Sequence, residues 1–307
     1  MSRYAVTALV LCLLGGTAVA LGIIEGFKLE KNPISGPLID KTFSPVCRCP
    51  QRVAHIQFRL RNTGALTLAV VAENGKVVRT IVDNKRFFHG RKRFDWDGRD
   101  DAGQVVPDGF YKLRLHFGGQ HRTIVMPRGT IVDTKRPTVT LVAVKPRVFS
   151  PNGDRVHDLV SIHYRVSEPA KVNVLVDGKV AIRGYYSRTA GTLYWPGTVR
   201  GRTLPQGTYA VGLVARDQAG NLSPPSRTVA VQIHFLSLPA SSVTTKKGTV
   251  LTIPVRTDAR AVHWRFQGRA GMSYKRRVVI RPTKAGTFLL VVTAAGHQAR
   301  ATVVVRP

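Results

Sequence analysis

Apolar and polar residues alternate along most of this chain. In Tyr111-Lys112-Leu113-Arg114-Leu115-His116-Phe117 every second residue is apolar. A period of two marks a strand with one buried and one wet face. His55–Arg61 and Leu66–Val70 alternate in the same way, and Asn74-Gly75 is a strong hairpin turn that returns the chain through Val77–Val82. Further strands are predicted at Arg122–Val132, Val139–Val144, Ile162–Val166, Lys171–Val176, Tyr209–Ala215 and Arg227–Phe235. Beyond them the period continues through Leu251, Ile253 and Val255, then Val262, Trp264 and Phe266. Phe288, Leu290 and Val292 follow, then Ala299, Ala301, Val303 and Val305. Helical periodicity is absent after the first thirty residues or so, and the pattern predicts an all-β protein.

The exception comes first. Tyr4–Ile24 carries no charged residue and is long enough to cross a bilayer core as a helix. Arg3 and the amino terminus precede it, which favours an inside N-terminus and an exported remainder. Ala18-Val19-Ala20 is also a signal-peptidase type of site, so cleavage after Ala20 is the rival to an uncleaved signal-anchor. Both place the bulk of the chain outside the cytoplasm, on a bacterial cell membrane or secreted from it. The expected organisation is a signal-anchor over 1–24, a polar linker over 25–42 with Pro33, Gly36 and Pro37, and domains over 43–142, 143–235 and 236–307.

One device occurs twice. The strand end Phe94-Asp95-Trp96-Asp97-Gly98 leads into the polar turn that holds Asp100, Asp101 and Gly103. Pro107-Asp108-Gly109 then turns into Tyr111. About a hundred residues later, a common domain length, Trp195-Pro196-Gly197 stands for the first part and Pro205-Gln206-Gly207-Thr208-Tyr209 for the second. Phe43-Ser44-Pro45 answers to Phe149-Ser150-Pro151, and Asn74-Gly75-Lys76-Val77 to Asp177-Gly178-Lys179-Val180. Landmarks repeating in register indicate an internal duplication. Trp96, Gly98, Gly103, Pro107, Gly109 and Tyr111 in one copy, and Trp195, Gly197, Pro205, Gly207 and Tyr209 in the other, are its structural motif.

The pattern Trp-Asp-Gly, an acidic turn, then Pro-Asp-Gly-x-Tyr resembles the Ig-like domain of flagellar hook-capping proteins, a module also found in many bacterial envelope and secreted proteins. The resemblance covers about residues 43–142. The second copy departs from it, since Pro196 replaces an Asp and the acidic turn is missing. Ala215-Arg216-Asp217-Gln218-Ala219-Gly220-Asn221 looks like the closing strand and turn of bacterial Ig-like modules. The resemblance implies tandem Ig-like β-sandwiches and says little about function. With the uncharged run Tyr4–Ile24, the expected fold is all-β, tandem sandwiches behind one N-terminal transmembrane helix.

Charge changes the picture. Lys and Arg number 47 against 17 Asp and Glu, a net +30. Such a surface attracts polyanions, although dispersed cations also simply keep strand faces wet. Residues 235–307 hold 13 Lys and Arg against the single acid Asp258, a net +12. Arg265, Arg269, Lys275, Arg276 and Arg277 are the candidate polyanion contacts there.

Candidate chemistry is sparse. Asp95, Asp97, Asp100 and Asp101 form a carboxylate cluster that could hold a hard cation, but without the spacing of a calcium-binding loop. Asn152-Gly153-Asp154 with Asp158 is a second, thinner set. Cys47 and Cys49 are two residues apart, a spacing at which partly buried thiols are expected rather than a disulfide. No nucleophile elbow, zinc-binding helix or phosphate loop is present, and the histidines are scattered over strands. No cofactor and no catalytic residue is expected. Trp264 beside Arg265 could form a ligand platform, yet its alternation with Val262 and Phe266 points to the core.

The expected function is a non-enzymatic, structural or adhesive envelope protein that binds another envelope protein or an anionic wall polymer, with no specific nucleic acid. An accessory module for wall polysaccharide and a flagellar or appendage assembly factor are the alternatives.

Overall fold

The computed structural model describes residues 9–19 and 32–307. Residues 9–19 are helical, and among the described residues no helix is long and apolar enough to cross a membrane. The rest of the expected span Tyr4–Ile24 lies outside the described residues. From Ile34 onward the chain is all-β, as its alternation predicts. It divides into two compact units. The first extends to Asp133 without Val46–Cys49, and the second comprises those four residues and Thr134–Pro307.

The first unit is a sandwich of two sheets. Its strands are β1 (Ile34–Ile39), β2 (Thr42–Phe43), β3 (Ala54–Leu60), β4 (Gly64–Ala72), β5 (Val77–Phe87), β6 (Gly90–Trp96), β7 (Gly109–Phe117), β8 (Arg122–Val125) and β9 (Thr130–Val132). One sheet runs β1-β3-β6, and the other β2-β9-β7-β4-β5 with β8 paired to β7. Ile56 and Phe58 from the first meet Leu66, Leu68, Leu113 and Leu115 from the second in one buried core. The alternation dictates this, because each strand has a single apolar face to bury.

Two expectations change here. The linker expected over 25–42 contains a strand, β1, antiparallel to β3, with Ile34 buried. Pro37 and Gly36 suggest a break, but β1 lies at a sheet edge and its register shifts between Ser35 and Leu38. Edge position and bulge together accommodate both residues. The strand expected over Arg122–Val132 is two short ones, β8 and β9.

The second unit begins with β10 (Val139–Lys145), β11 (Val148–Phe149), β12 (Val160–Val176), β13 (Lys179–Ile182), β14 (Arg188–Trp195), β15 (Thr198–Val199), β16 (Arg202–Thr203), β17 (Gly207–Arg216) and β18 (Val229–Ile233). Strand β12 serves two layers. Its first half pairs with β10 and β14, and its second with β13 and β17. The first unit divides the same path into β3 and β4, and its pairings otherwise follow suit: β1 on β3 as β10 on β12, and β7 on β4 as β17 on β12.

The unit continues with β19 (Ser242–Lys246), β20 (Leu251–Pro254), β21 (Val262–Phe266), β22 (Arg269–Ser273), β23 (Arg277–Ile280), β24 (Gly286–Ala294) and β25 (His297–Arg306). These form a five-stranded sheet, β19-β25-β24-β21-β22, and the pair β20-β23. The boundary expected at 235/236 lies inside a single hydrophobic core that runs from Val139 to Val305 through Phe235, Leu236, Val255 and Ala259. Phe235 stacks on the His297 ring at 3.6 Å between centroids.

In each of the three segments an early strand pairs parallel with the closing one. Phe43 pairs with Val132, Phe149 with Ile233, and Ser242–Lys246 with Thr302–Arg306.

Candidate functional site

The repeated aromatic turn is built from its tryptophan outward. Trp96 ends β6 and is 1% exposed, and Trp195 ends β14 at 0%. A buried indole N–H needs an acceptor. Trp96 Nε1 donates to the Arg99 carbonyl at 2.9 Å, and Trp195 Nε1 to the Thr198 carbonyl at 2.9 Å. Each ring packs against the phenylalanine of the Phe-Ser-Pro segment, Phe43 at 5.4 Å and Phe149 at 5.3 Å. Each also meets a tyrosine, Tyr111 at 5.2 Å and Tyr209 at 6.3 Å. The tyrosine hydroxyls donate to the carbonyls of Pro107 and Pro205, both at 2.8 Å. Burial raises the pKa of both phenols, and Asp108 and Asp177 respectively raise them further.

The glycine after each tryptophan has no substitute. Gly98 has φ +71° and Gly197 φ +72°. A Cβ at Gly98 would lie 2.9 Å from the Pro45 ring, and one at Gly197 2.7 Å from the Pro151 ring. Conformation and space both demand glycine.

The four-aspartate cluster does not converge on one point. Asp97 Oδ1 accepts from the Arg99 amide, and Asp100 Oδ1 from the amides of Ala102 and Gln104. Asp101 Oδ1 accepts from the Thr80 amide, and Asp95 sits on β6 opposite His55. Two of the four carboxylates shape the turn, a common use of aspartate, and Asp101 ties it to β5.

The loops after the two Phe-Ser-Pro segments are equal in length and pinned by different chemistry. The Ser44 amide donates to the Gln51 carbonyl, and the Ser150 amide to that of His157. In the second loop Asp158 accepts from the amides of Asn152, Gly153 and Arg155, and Asp154 from that of Val156. Asn152 Nδ2 bridges Ser150 Oγ at 3.2 Å and Asp258 Oδ1 at 3.4 Å. The first loop has Val46 where the second has Asn152, and the buried Ser44 Oγ has no partner among the described residues. A disulfide joins Cys47 to Cys49 instead, correcting the expectation of two thiols. The loop bends so that the two Cα atoms are 5.3 Å apart, within the span a disulfide bridges.

A cavity of about 470 Å³ lies within the second unit, and its lining includes Phe149, His157, His234, Thr257, Asp258 and Arg276. Burial raises the Asp258 pKa. Hydrogen bonding to Ser150 opposes the rise, Asp154 adds to it, and His157 opposes it. Single-chain periodicity carries no signal for this cavity, because it joins loops about a hundred residues apart in sequence.

The five proposed cations of the third segment are all exposed but do not converge. Arg276 lines that cavity, with its guanidinium donating to the Asp258 carbonyl at 3.3 Å. Arg265 lines a different one beside Trp264. Arg269 starts β22, Lys275 lies in the loop after it, and Arg277 starts β23. Trp264 is half-buried and packs against the core, with Gly271 beneath its ring.

Solved structures give remote likenesses. The fibronectin(III)-like modules of Clostridium thermocellum CbhA are 16% identical, with a TM-score of 0.37 over 65% of this chain and 92% of that one. A 1.5-MDa bacterial ice-binding adhesin is 12% identical, with a TM-score of 0.27 over 90% and 99%. The Bacteroides ovatus mixed-linkage glucan protein SGBP-B is 13% identical, with a TM-score of 0.26 over 87% and 65%. No curated protein matches the sequence. Residues 53–117, which hold β3 to β7 and the first aromatic turn, match the FlgD Ig-like domain family.

Proposed function

We propose that this protein is a non-enzymatic envelope scaffold, held at the bacterial cell membrane by its N-terminal segment, whose β modules stand outside the cytoplasm and bind a partner protein or wall polymer. One observation carries the reading: what the two copies share is scaffold. Trp, Gly, Pro and Tyr recur with the same hydrogen bonds, while the loops between them have diverged. Duplication that keeps packing residues and varies loops suits a chain whose product is a spaced binding surface.

The uncharged run Tyr4–Ile24 behind Arg3 supports export. Leu9, Leu11, Leu13 and Leu14 of the helical part are each more than half exposed, as an apolar helix awaiting a lipid or protein environment would be. Protease added to intact cells should digest everything after Glu25. Protection of that part until the membrane is lysed would reject the topology. For the binding role, immobilised protein should retain a wall component at low salt and release it at high salt, since a +30 surface acts through screened charge.

A further inference from the structure

In the sheet β1-β3-β6, register sets Arg59 directly opposite Arg91, with Ser35 opposite Arg59 on its other side. Directly opposed residues share a face, with Cβ atoms about 5 Å apart. Both arginines are exposed, on the face away from the buried Ile56, Phe58 and Leu60. Two residues along β6, Arg93 stands opposite Gln57 and donates to its Oε1 at 3.1 Å. Neither Arg59 nor Arg91 has a carboxylate partner among the described residues. Like charges set opposite each other lower the stability of a strand pair. At this point a cavity of about 440 Å³ opens, and its lining includes Ser35, Gly36, Gln57, Arg59, Gly90 and Arg91.

We propose that this face binds a hydrophilic polyanion, a phosphodiester-linked wall polymer, with one phosphate between Arg59 and Arg91 and the next reaching Arg93. The guanidinium fork matches phosphate geometry and stays charged at every physiological pH. Positions two apart on a strand are about 7 Å from one another, a spacing that an extended polymer with short repeat units can follow. Among the described residues of this face the one aromatic ring is His55, at its end and tied to Asp40, so the face lacks the row of rings on which successive bases stack. Its apolar content is the exposed Leu38, too little to enter a bilayer. At one end Asp95 and the Asp40–His55 pair close the cationic strip. The choice of polymer rests on the envelope reading above, whereas the site itself rests on register and charge.

The test titrates the full-length protein with poly(glycerol phosphate), a single-stranded oligonucleotide and vesicles containing phosphatidylglycerol. Poly(glycerol phosphate) should bind at low salt, with affinity falling as salt rises. Arg59→Gln with Arg91→Gln should weaken it at least about tenfold, the scale of two lost charge-assisted contacts. Arg183→Gln with Arg227→Gln removes equal charge from exposed positions of the second unit and should change affinity less than about threefold, the scale of screened surface charge. Without polymer the Arg59/Arg91 variant should melt at or above the wild-type temperature, which separates lost binding from lost fold. Equal weakening by both variants, or a lower melting temperature for the first, would overturn the site and leave the envelope reading standing. Tighter binding of oligonucleotide or vesicles would overturn the partner. Binding to none of the three would overturn both the site and the adhesive reading.

Discussion

At the scale of single residues, the two aromatic turns predict matched losses. Trp96→Ala and Trp195→Ala each empty a filled core site and orphan a carbonyl, and should cost about 3–5 kcal/mol in urea unfolding. Gly98→Ala forces a side chain into a left-handed conformation against Pro45, and should cost about 1–3 kcal/mol. The serines after the two phenylalanines should differ. Ser150→Ala removes a hydrogen-bonded hydroxyl and should cost about 1 kcal/mol, whereas Ser44→Ala removes a hydroxyl with no partner and should be neutral or stabilising. Equal effects would reject the contrast between the loops. Asp258 gives a pH signature. A carboxyl whose pKa is raised on folding binds protons better folded, so its contribution falls as pH rises above 3.8 and through the raised value. Asp258→Asn should therefore raise the melting temperature at neutral pH, with the gain fading as pH drops below 3.8. Trp96 and Trp195 were legible from the sequence because their neighbours repeat in order. Arg59 opposite Arg91 was not, because cross-strand register is set by the fold and leaves no trace in one strand's alternation.

At the scale of elements, the Phe-Ser-Pro loops test how a disulfide compares with a carboxylate network. Closing a loop of only three residues removes little chain entropy, and the loop-closure relation gives about 1.6 kcal/mol. Reduction or a Cys47→Ser/Cys49→Ser variant should lower stability by about that amount and no more. Asp158→Asn breaks charge-assisted bonds to three amides and should cost about 1.5–3 kcal/mol. Urea titrations of the two variants decide between these values. Strand existence was legible from period-two alternation, as β7 shows. The sequence misled where punctuation was read without its partner strand. Pro37 and Gly36 sit inside β1 because an edge strand tolerates a missing donor and a bulge. In β12, Pro169 falls at the bend between two layers, within one continuous strand.

At the scale of the molecule, the second and third segments share one core. Thermal unfolding should show two transitions, not three. Trp195→Ala should lower one of them as a whole, so that the fluorescence of Trp264, which packs against the same core, shifts with it. A Trp264 signal that keeps its wild-type midpoint in that variant would reject the shared core. The sequence pointed to three parts because each has its own set of strands. It could not show that Phe235 and Leu236, placed at the apparent boundary, are buried at the join.

The parallel pairing that closes each segment has a mechanical consequence. Force applied along the chain would enter a segment near its early strand and leave near its closing one. Where those strands run parallel, tension slides one along the other, and their hydrogen bonds must fail together rather than in sequence like a zip. The pairing of Ser242–Lys246 with Thr302–Arg306 is the longest of the three. Single-molecule pulling from Asn32 and Pro307 should meet its highest resistance in the second unit. Replacing Thr245 with proline, which removes an amide on the side of β19 where the Ser241 carbonyl and the Lys247 amide bond to β25, should lower that peak while leaving the first unit's unchanged.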